Sequence, residues 1–227
     1  MAAVTGPERN EFLLLADVIG LSQLIEVIDH DRPDSAVGFA LVGPFYRANA
    51  PVRARGESIA SPDTPGDRVR ITGRVYDLAT NAPLAGATLS TWQAATNGLY
   101  ENQDPAQPDY NLRGRFQTDE AGTYELVALM PTPYPVPNDG PAGDLLRVAH
   151  RHPYRPAHIH FIVSHPGYET LITQVFVEGG EMVDTDVVFT ASDNMLGRFE
   201  RDGDGYRLHY DFQLRPGVST TPKAPIP

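Results

Sequence analysis

Two periodicities divide the chain. Near the N-terminus, Leu14, Val18, Leu21, Ile25 and Ile28 recur at steps of four, three, four and three, which puts them on one face of an α-helix. Asn10 stands where an N-cap belongs and Pro33 where a helix stops, so the spacing predicts one helix between them. Asp17 interrupts the stripe beside Leu14 and Leu21, either as a solvated residue at its edge or as a polar group facing a pocket. From Ala36 to Pro65 the chain reads as loop, punctuated by Gly43-Pro44, Ala50-Pro51, Ser61-Pro62 and Thr64-Pro65. Beyond it the period shortens to two. Val69, Ile71, Gly73 and Val75 alternate with Arg70, Thr72, Arg74 and Tyr76, and Tyr206, Leu208, Tyr210, Phe212 and Leu214 alternate with Arg207, His209, Asp211 and Gln213. Residues 87–93, 157–164, 171–177 and 186–190 are further strand candidates, and Tyr124, Leu126 and Ala128 follow a turn at 118–122. Several short strands with turn signals predict a mostly β chain, an antiparallel β-sandwich preceded by a short helical segment. The expected division is an N-terminal helix and linker over 1–65, a sandwich over 66–215 and a Pro-rich tail over 216–227.

Composition supports this and narrows the chemistry. The 227 residues include 21 Pro and 20 Gly, which suit turns and loops better than helix interiors. Cysteine is absent, which excludes disulfide scaffolds, thiolate metal sites and cysteine nucleophiles. Any metal must be held by His, Asp, Glu, Tyr or backbone. A net charge of −11 argues against nucleic acid as a partner. No stretch approaches the roughly 20 apolar residues of a membrane span, and residues 1–10 lack the pattern of a signal peptide. The expectation is a cytoplasmic protein with no membrane partner.

One segment carries candidate chemistry: Arg155-Pro156-Ala157-His158-Ile159-His160-Phe161-Ile162-Val163. On a strand, His158 and His160 share one face while Ile159, Phe161 and Val163 take the other, so the two imidazoles can chelate one metal. A His-x-His pair also occurs on solvated strands. Arg155, fixed beside Pro156, would suit an anionic substrate or intermediate. Glu169 and Glu178 follow, but neither completes an evident carboxylate motif of the two-His type. Tyr100, just after a strand, and Tyr134, between alternating prolines, could supply phenolates, which would favour iron(III) over zinc. Each could equally be a packed aromatic.

The order Trp92-Gln93-Ala94, Gly98-Leu99-Tyr100, Tyr110-Asn111-Leu112-Arg113-Gly114, Thr118-Asp119 with Gly122 and Tyr124, Tyr134-Pro135-Val136-Pro137, and Arg155-Pro156-Ala157-His158-Ile159-His160-Phe161 resembles the intradiol ring-cleavage dioxygenases, over about residues 10 to 215. Trp-Gln-Ala, Gly-Leu-Tyr and Tyr-Pro-Val-Pro look more like the hydroxyquinol 1,2-dioxygenases than the plain catechol enzymes. The resemblance implies a prealbumin-like β-sandwich and a non-haem iron(III) held by Tyr100, Tyr134, His158 and His160, with Tyr134 and His160 axial. It implies a catecholic substrate and O2, with Tyr134 taking a substrate proton, Arg155 stabilising the electron-rich ring and Gln174 hydrogen-bonding near it. Pocket residues implied are Leu14, Asp17, Leu41, Val42, Gly43, Pro44, Phe45, Val136, Pro137 and Val188, the last expected on a late strand. An acid at position 17 would favour a substrate with a third hydroxyl.

Members of the family usually carry a longer helical dimerisation region, and this sequence begins near what would be its last helix. A homodimer is expected if those helices are present or replaced. Without a partner, Leu13, Leu15, Ile19 and Ile25 are expected to be partly exposed. Three other readings stand beside this one. They are a catechol or chlorocatechol enzyme, a non-enzymatic β-sandwich binding module, and a zinc or iron(II) His-x-His enzyme on a cupin-like barrel.

Overall fold

In a computed structural model, which describes residues 1–6, 10–30, 33 and 36–226, the N-terminal stripe is divided between two helices, α1 (Glu11–Val18) and α2 (Leu21–Asp29). Asn10 caps α1 as expected, accepting the amides of Phe12 and Leu13 at 3.1 Å each. The single expected helix ends early because Gly20 takes a left-handed conformation, φ 79, which only glycine adopts freely. The break turns the second half of the stripe away from the core. Val18 is buried with Leu14 and Leu15 packed nearby, whereas Leu21, Ile25 and Ile28 face solvent, as do Leu13 and Ile19. The buried polar residues of the pair are Glu11, Asp17 and Gln23.

Among the described residues, twelve strands follow. Strand β1 (Arg68–Asp77) buries alternate residues, as its period predicts. Next come β2 (Thr88–Trp92), β3 (Arg113–Gln117), β4 (Thr123–Leu129) and the two-residue β5 (Tyr134–Pro135). Helix α3 (Pro141–Val148) separates β5 from β6 (Tyr154–Arg155). Then come β7 (His158–Ser164), β8 (Leu171–Val177), β9 (Leu196–Gly197), β10 (Glu200–Asp202), β11 (Gly205–His209) and β12 (Phe212–Leu214).

Strands β5 and β6 pair in a separate two-stranded ribbon, and the other ten form two five-stranded sheets. One has the order β10-β11-β1-β12 with β4 also on β1; the other has the order β3-β2-β7-β8-β9. Most pairs are antiparallel, while β11 and β12 run parallel to β1 and β9 runs parallel to β8. Between the sheets, Val69, Ile71, Val75, Leu126 and Phe212 meet Leu89, Phe116, Ile159, Phe161 and Val175 in one continuous core. This is the sandwich that the alternation implies.

Three expectations need amendment. The alternating run 206–214 is two strands, because the Tyr210 carbonyl presses against Gly73, where a Cβ would lie 1.8 Å away. Helix α3 was not foreseen. It starts on Pro141, which suits a first helical position, and Glu11 of α1 accepts the Ala142 amide at 2.8 Å. Residues 186–190 are not a strand, for a reason given below. The tail runs extended over the surface: Thr220 exchanges hydrogen bonds with Thr170, and Ala224 packs against the cluster that includes Tyr46, Trp92 and Tyr100. Among the described residues, no helix is long and apolar enough to cross a membrane.

Candidate metal centre

The site grows from β7, the middle strand of its sheet. Its inward residues Ile159, Phe161 and Val163 are fully buried in the core. His158 and His160 share the opposite face, as the spacing predicts, and that face is also covered, leaving each imidazole 2% exposed. Register places Trp92 of β2 and Gln174 of β8 beside His160. The β5–β6 ribbon places Tyr134 opposite Arg155. Tyr100 precedes a short helical turn, 101–103, and Gln103 Oε1 accepts its amide at 3.0 Å.

Four polar atoms close a ring. Tyr100 Oη lies 3.0 Å from Tyr134 Oη, Tyr134 Oη 3.3 Å from His158 Nε2, His158 Nε2 3.1 Å from His160 Nε2, and His160 Nε2 3.1 Å from Tyr100 Oη. Edges of this length are what four ligands have when each is about 2.0–2.1 Å from one ion. Among the described residues, no group of three or more His, Asp or Glu could hold a metal. The donor set available is therefore two phenols and two imidazoles, with no carboxylate among them. Glu169, the nearest downstream acid, pairs with His30 and Arg215 instead.

The environment keeps both imidazoles neutral. His158 is pushed down to about 3, first by burial and then by the Arg155 charge, and His160 falls well below its ordinary value for the same reasons plus His158 itself. His158 Nδ1 donates to the Pro156 carbonyl at 2.7 Å, an assignment made from the hydrogen bond, and this leaves the Nε2 lone pair for the site. His160 Nδ1 has no such partner among the described residues. Its ring is held by the Trp92 indole, stacked at 4.6 Å and 9°. Burial also raises both tyrosines, Tyr100 strongly, so in the protein alone both phenols keep their protons. A multivalent cation at the centre reverses that preference.

Charged residues back the ring on two sides. Behind Tyr100, Arg113 donates Nε to Glu101 at 2.7 Å, and Arg47 donates to the same carboxylate at 2.8 Å. Beside Tyr134, Arg155 is 6% exposed, with Nη1 3.3 Å from His158 Nε2. Burial opposes its charge, but the paired Asp186 carboxylate favours it, and it stays a cation.

The pocket residues expected from the sequence fall into two walls. Leu14, Val136 and Val188 meet in one apolar cluster with Val18, Leu146 and Val187. Val42 and Phe45 pack on the other side against Tyr46, Trp92, Tyr100 and Tyr134, and the Phe45 ring stacks on Tyr100 at 4.6 Å. Gly43 approaches His160, with a built Cβ 3.5 Å from Cε1. The Leu41 carbonyl accepts Gln174 Nε2 at 3.0 Å, leaving Gln174 Oε1 buried and without a partner among the described residues. Pro44 is exposed and Pro137 half-buried, and neither belongs to these clusters. Asp17 is buried. Burial raises its carboxyl, with Ser22 and the Arg155 charge opposing. Val188 lies on a loop rather than a strand, because the Asp186 carboxylate takes the amides that strand pairing would need.

Asp186, Glu101 and the stacking role of Trp92 were not anticipated. Asp186 and Glu101 act across 31 and 12 residues of sequence, and no local pattern marks either. Trp92 could have been found by pairing the β2 and β7 candidates in register.

Residues 41–216 match the family model described as dioxygenase. The chain is 42% identical over 200 residues to hydroxyquinol 1,2-dioxygenase of Rhizobium sp. strain MTP-10005, covering 88% of this chain and 67% of the relative. It is 42% identical over 218 residues to catechol 1,2-dioxygenase of Candida albicans strain SC5314, covering 91% and 72%. Among solved structures, hydroxyquinol 1,2-dioxygenase from Pseudomonas putida DLL-E4 superposes with a TM-score of 0.86 at 36% identity, over 92% of this chain and 77% of that one.

Proposed function

This chain belongs to the dioxygenase family and is an intradiol ring-cleaving enzyme; on that premise we propose that it cleaves hydroxyquinol (1,2,4-trihydroxybenzene) between its two adjacent hydroxyl-bearing carbons. The product is 3-hydroxy-cis,cis-muconate, the enol form of maleylacetate. Both atoms of O2 enter it, so no external reductant takes part. Tyr100, Tyr134, His158 and His160 would hold a non-haem ferric ion. When bound, that ion supplies Lewis acidity toward the ring oxygens and draws electron density so that the ring reacts with O2.

The chain's own residues do the rest. Tyr134 Oη, a phenolate at the loaded centre, would take the proton from an arriving ring hydroxyl. Arg155 Nη1 faces the ring of donor atoms and stabilises negative charge as it builds on the electron-rich substrate ring. Gln174, tethered through Nε2 to Leu41, offers Oε1 as an acceptor. Leu14, Val136, Val188, Val42 and Phe45 exclude water and hold the ring plane. Leu41, Gly43, Pro44 and Pro137 complete the pocket on the segments that carry these side chains.

The choice of hydroxyquinol rests on Asp17, a buried carboxyl on the helix whose Leu14 packs in the pocket wall. It can accept a hydrogen bond from the third hydroxyl, which catechol lacks. Such a bond contributes about 1.5 kcal/mol, or about tenfold in the hydroxyquinol-to-catechol ratio of kcat/KM. Asp17→Ala should therefore lower turnover of hydroxyquinol about tenfold more than that of catechol, read by O2 uptake. Equal losses on both substrates would sink the assignment. The Candida relative named for catechol makes that substrate the second reading; a wild-type kcat/KM higher on catechol than on hydroxyquinol would favour it.

A further inference from the structure

Asp186 belongs to no motif of the sequence, yet it is 4% exposed and accepts five hydrogen bonds. Oδ1 takes Arg155 Nε at 3.2 Å and the Val188 amide at 3.3 Å. Oδ2 takes Arg155 Nη2 at 2.9 Å and the amides of Thr190 and Ala191 at 3.1 and 3.2 Å. A carboxylate so surrounded stays ionised in spite of burial, and Asp186 is held below the ordinary carboxylate range.

Two structural consequences meet at this one group. The side-on pair occupies Nε and Nη2 of Arg155, so only the Nη1 end is left to face His158 Nε2 and the donor ring. The three amides wrap residues 186–191 into a hook. The hook drives Phe189 to φ 60, which is strained for a bulky side chain. It also seats Val188, 4% exposed, in the wall shared with Leu14 and Val136. On the far side, Thr190 Oγ1 donates to Gln23 Oε1 of α2 at 3.1 Å, and Arg151 Nη2 donates to the Val187 carbonyl at 2.7 Å, so the hook is tied at both ends.

We propose that Asp186 is a positioning residue of the reaction, aiming the Arg155 guanidinium at the developing negative charge. This rests on the role given to Arg155 above. Because Arg155 acts on charge that builds only after the substrate is bound, losing its aim should lower kcat and leave binding nearly unchanged.

The test is a double-mutant cycle of Asp186→Asn and Arg155→Gln in the iron-loaded enzyme. It is read as kcat and KM for catechol and as anaerobic binding of 4-nitrocatechol by its absorbance. Asp186→Asn alone should lower kcat by about 10- to 100-fold, with KM and the 4-nitrocatechol Kd within about threefold of wild type. In the Arg155→Gln background the same substitution should change kcat by no more than about twofold, the scatter of independent pairs. An equal fold-loss in both backgrounds overturns the proposal, as does a loss confined to KM and Kd. If Asp186→Asn does not fold, Asp186→Glu decides, since it keeps the charge and moves it by one methylene. A soluble Asp186→Glu with wild-type kcat overturns the proposal, and a reduced kcat at unchanged Kd supports it. Wild-type kcat in Arg155→Gln alone overturns the role of Arg155, a failure distinct from that of Asp186 acting through it.

Discussion

Trp92 and His160 allow a quantitative forecast, because the two histidines are held by different means. His158 is oriented by a hydrogen bond from Nδ1 to Pro156. His160 has no Nδ1 partner among the described residues and leans on the Trp92 indole, 4.6 Å away and nearly parallel. Replacing Trp92 with Leu keeps an apolar side chain but removes the flat surface that sets the ring's plane. Aromatic stacking contributes about 0.5–1.5 kcal/mol beyond area burial, so the affinity of the centre for iron should fall by about 2- to 13-fold. The cost in stability is partly offset, because Trp92 Nε1 is itself buried without a partner among the described residues and its removal relieves an unsatisfied donor. Chelator competition for bound iron, run beside thermal melts of the metal-free protein, separates the two effects. The reasoning predicts weaker iron retention from a protein that melts within about 10 °C of wild type. Unchanged iron affinity in Trp92→Leu, with a lowered Tm, would mean that Trp92 only fills the core and that His160 is oriented by something else.

Three further outcomes follow from the same structure. Asp17 has a raised carboxyl pKa, so the folded state binds its proton more tightly than the unfolded chain, and the contribution of Asp17 to stability falls as pH rises upward from about 3.8. Asp17→Asn should accordingly melt higher than wild type at neutral pH, with the gap closing in acid; a gap that does not vary with pH would contradict the burial argument. Glu101→Gln leaves Arg113 buried without its counter-ion and should cost about 3–5 kcal/mol, read by calorimetry as a Tm drop of roughly 6–20 °C for a chain of this size; a shift under about 2 °C speaks against a structural role for that pair. Iron loading at neutral pH should release at least the protons of Tyr100 and Tyr134, which burial keeps on the phenols of the metal-free protein. Titration calorimetry in buffers of different ionisation enthalpy counts them, and no release would contradict phenolate ligation.

Much of the site was legible because its chemistry sits on local pattern. The His-x-His spacing on a strand places two imidazoles on one face whatever the partner strands, and the core face of Ile159, Phe161 and Val163 follows from the same period. The stiff Pro-Tyr-Pro segment was readable as extended backbone, and it forms the ribbon that sets Tyr134 against Arg155. What escaped depends on tertiary partners. The stripe from Leu14 to Ile28 has helical spacing throughout, yet one left-handed glycine splits it and exposes its second half. Residues 186–190 have strand-like side chains, but a single carboxylate captures their amides and makes a hook. Helix α3 is capped by Glu11, 131 residues away, a contact that no window along the chain can contain.

The visible absorption spectrum of the iron-loaded protein tests the central claim most directly. Phenolate bound to iron(III) absorbs visible light, so the wild-type protein should be coloured, and Tyr100→Phe and Tyr134→Phe should each weaken and shift the band. A colourless protein after ferric loading, or a band that neither substitution alters, would contradict a centre built from Tyr100, Tyr134, His158 and His160.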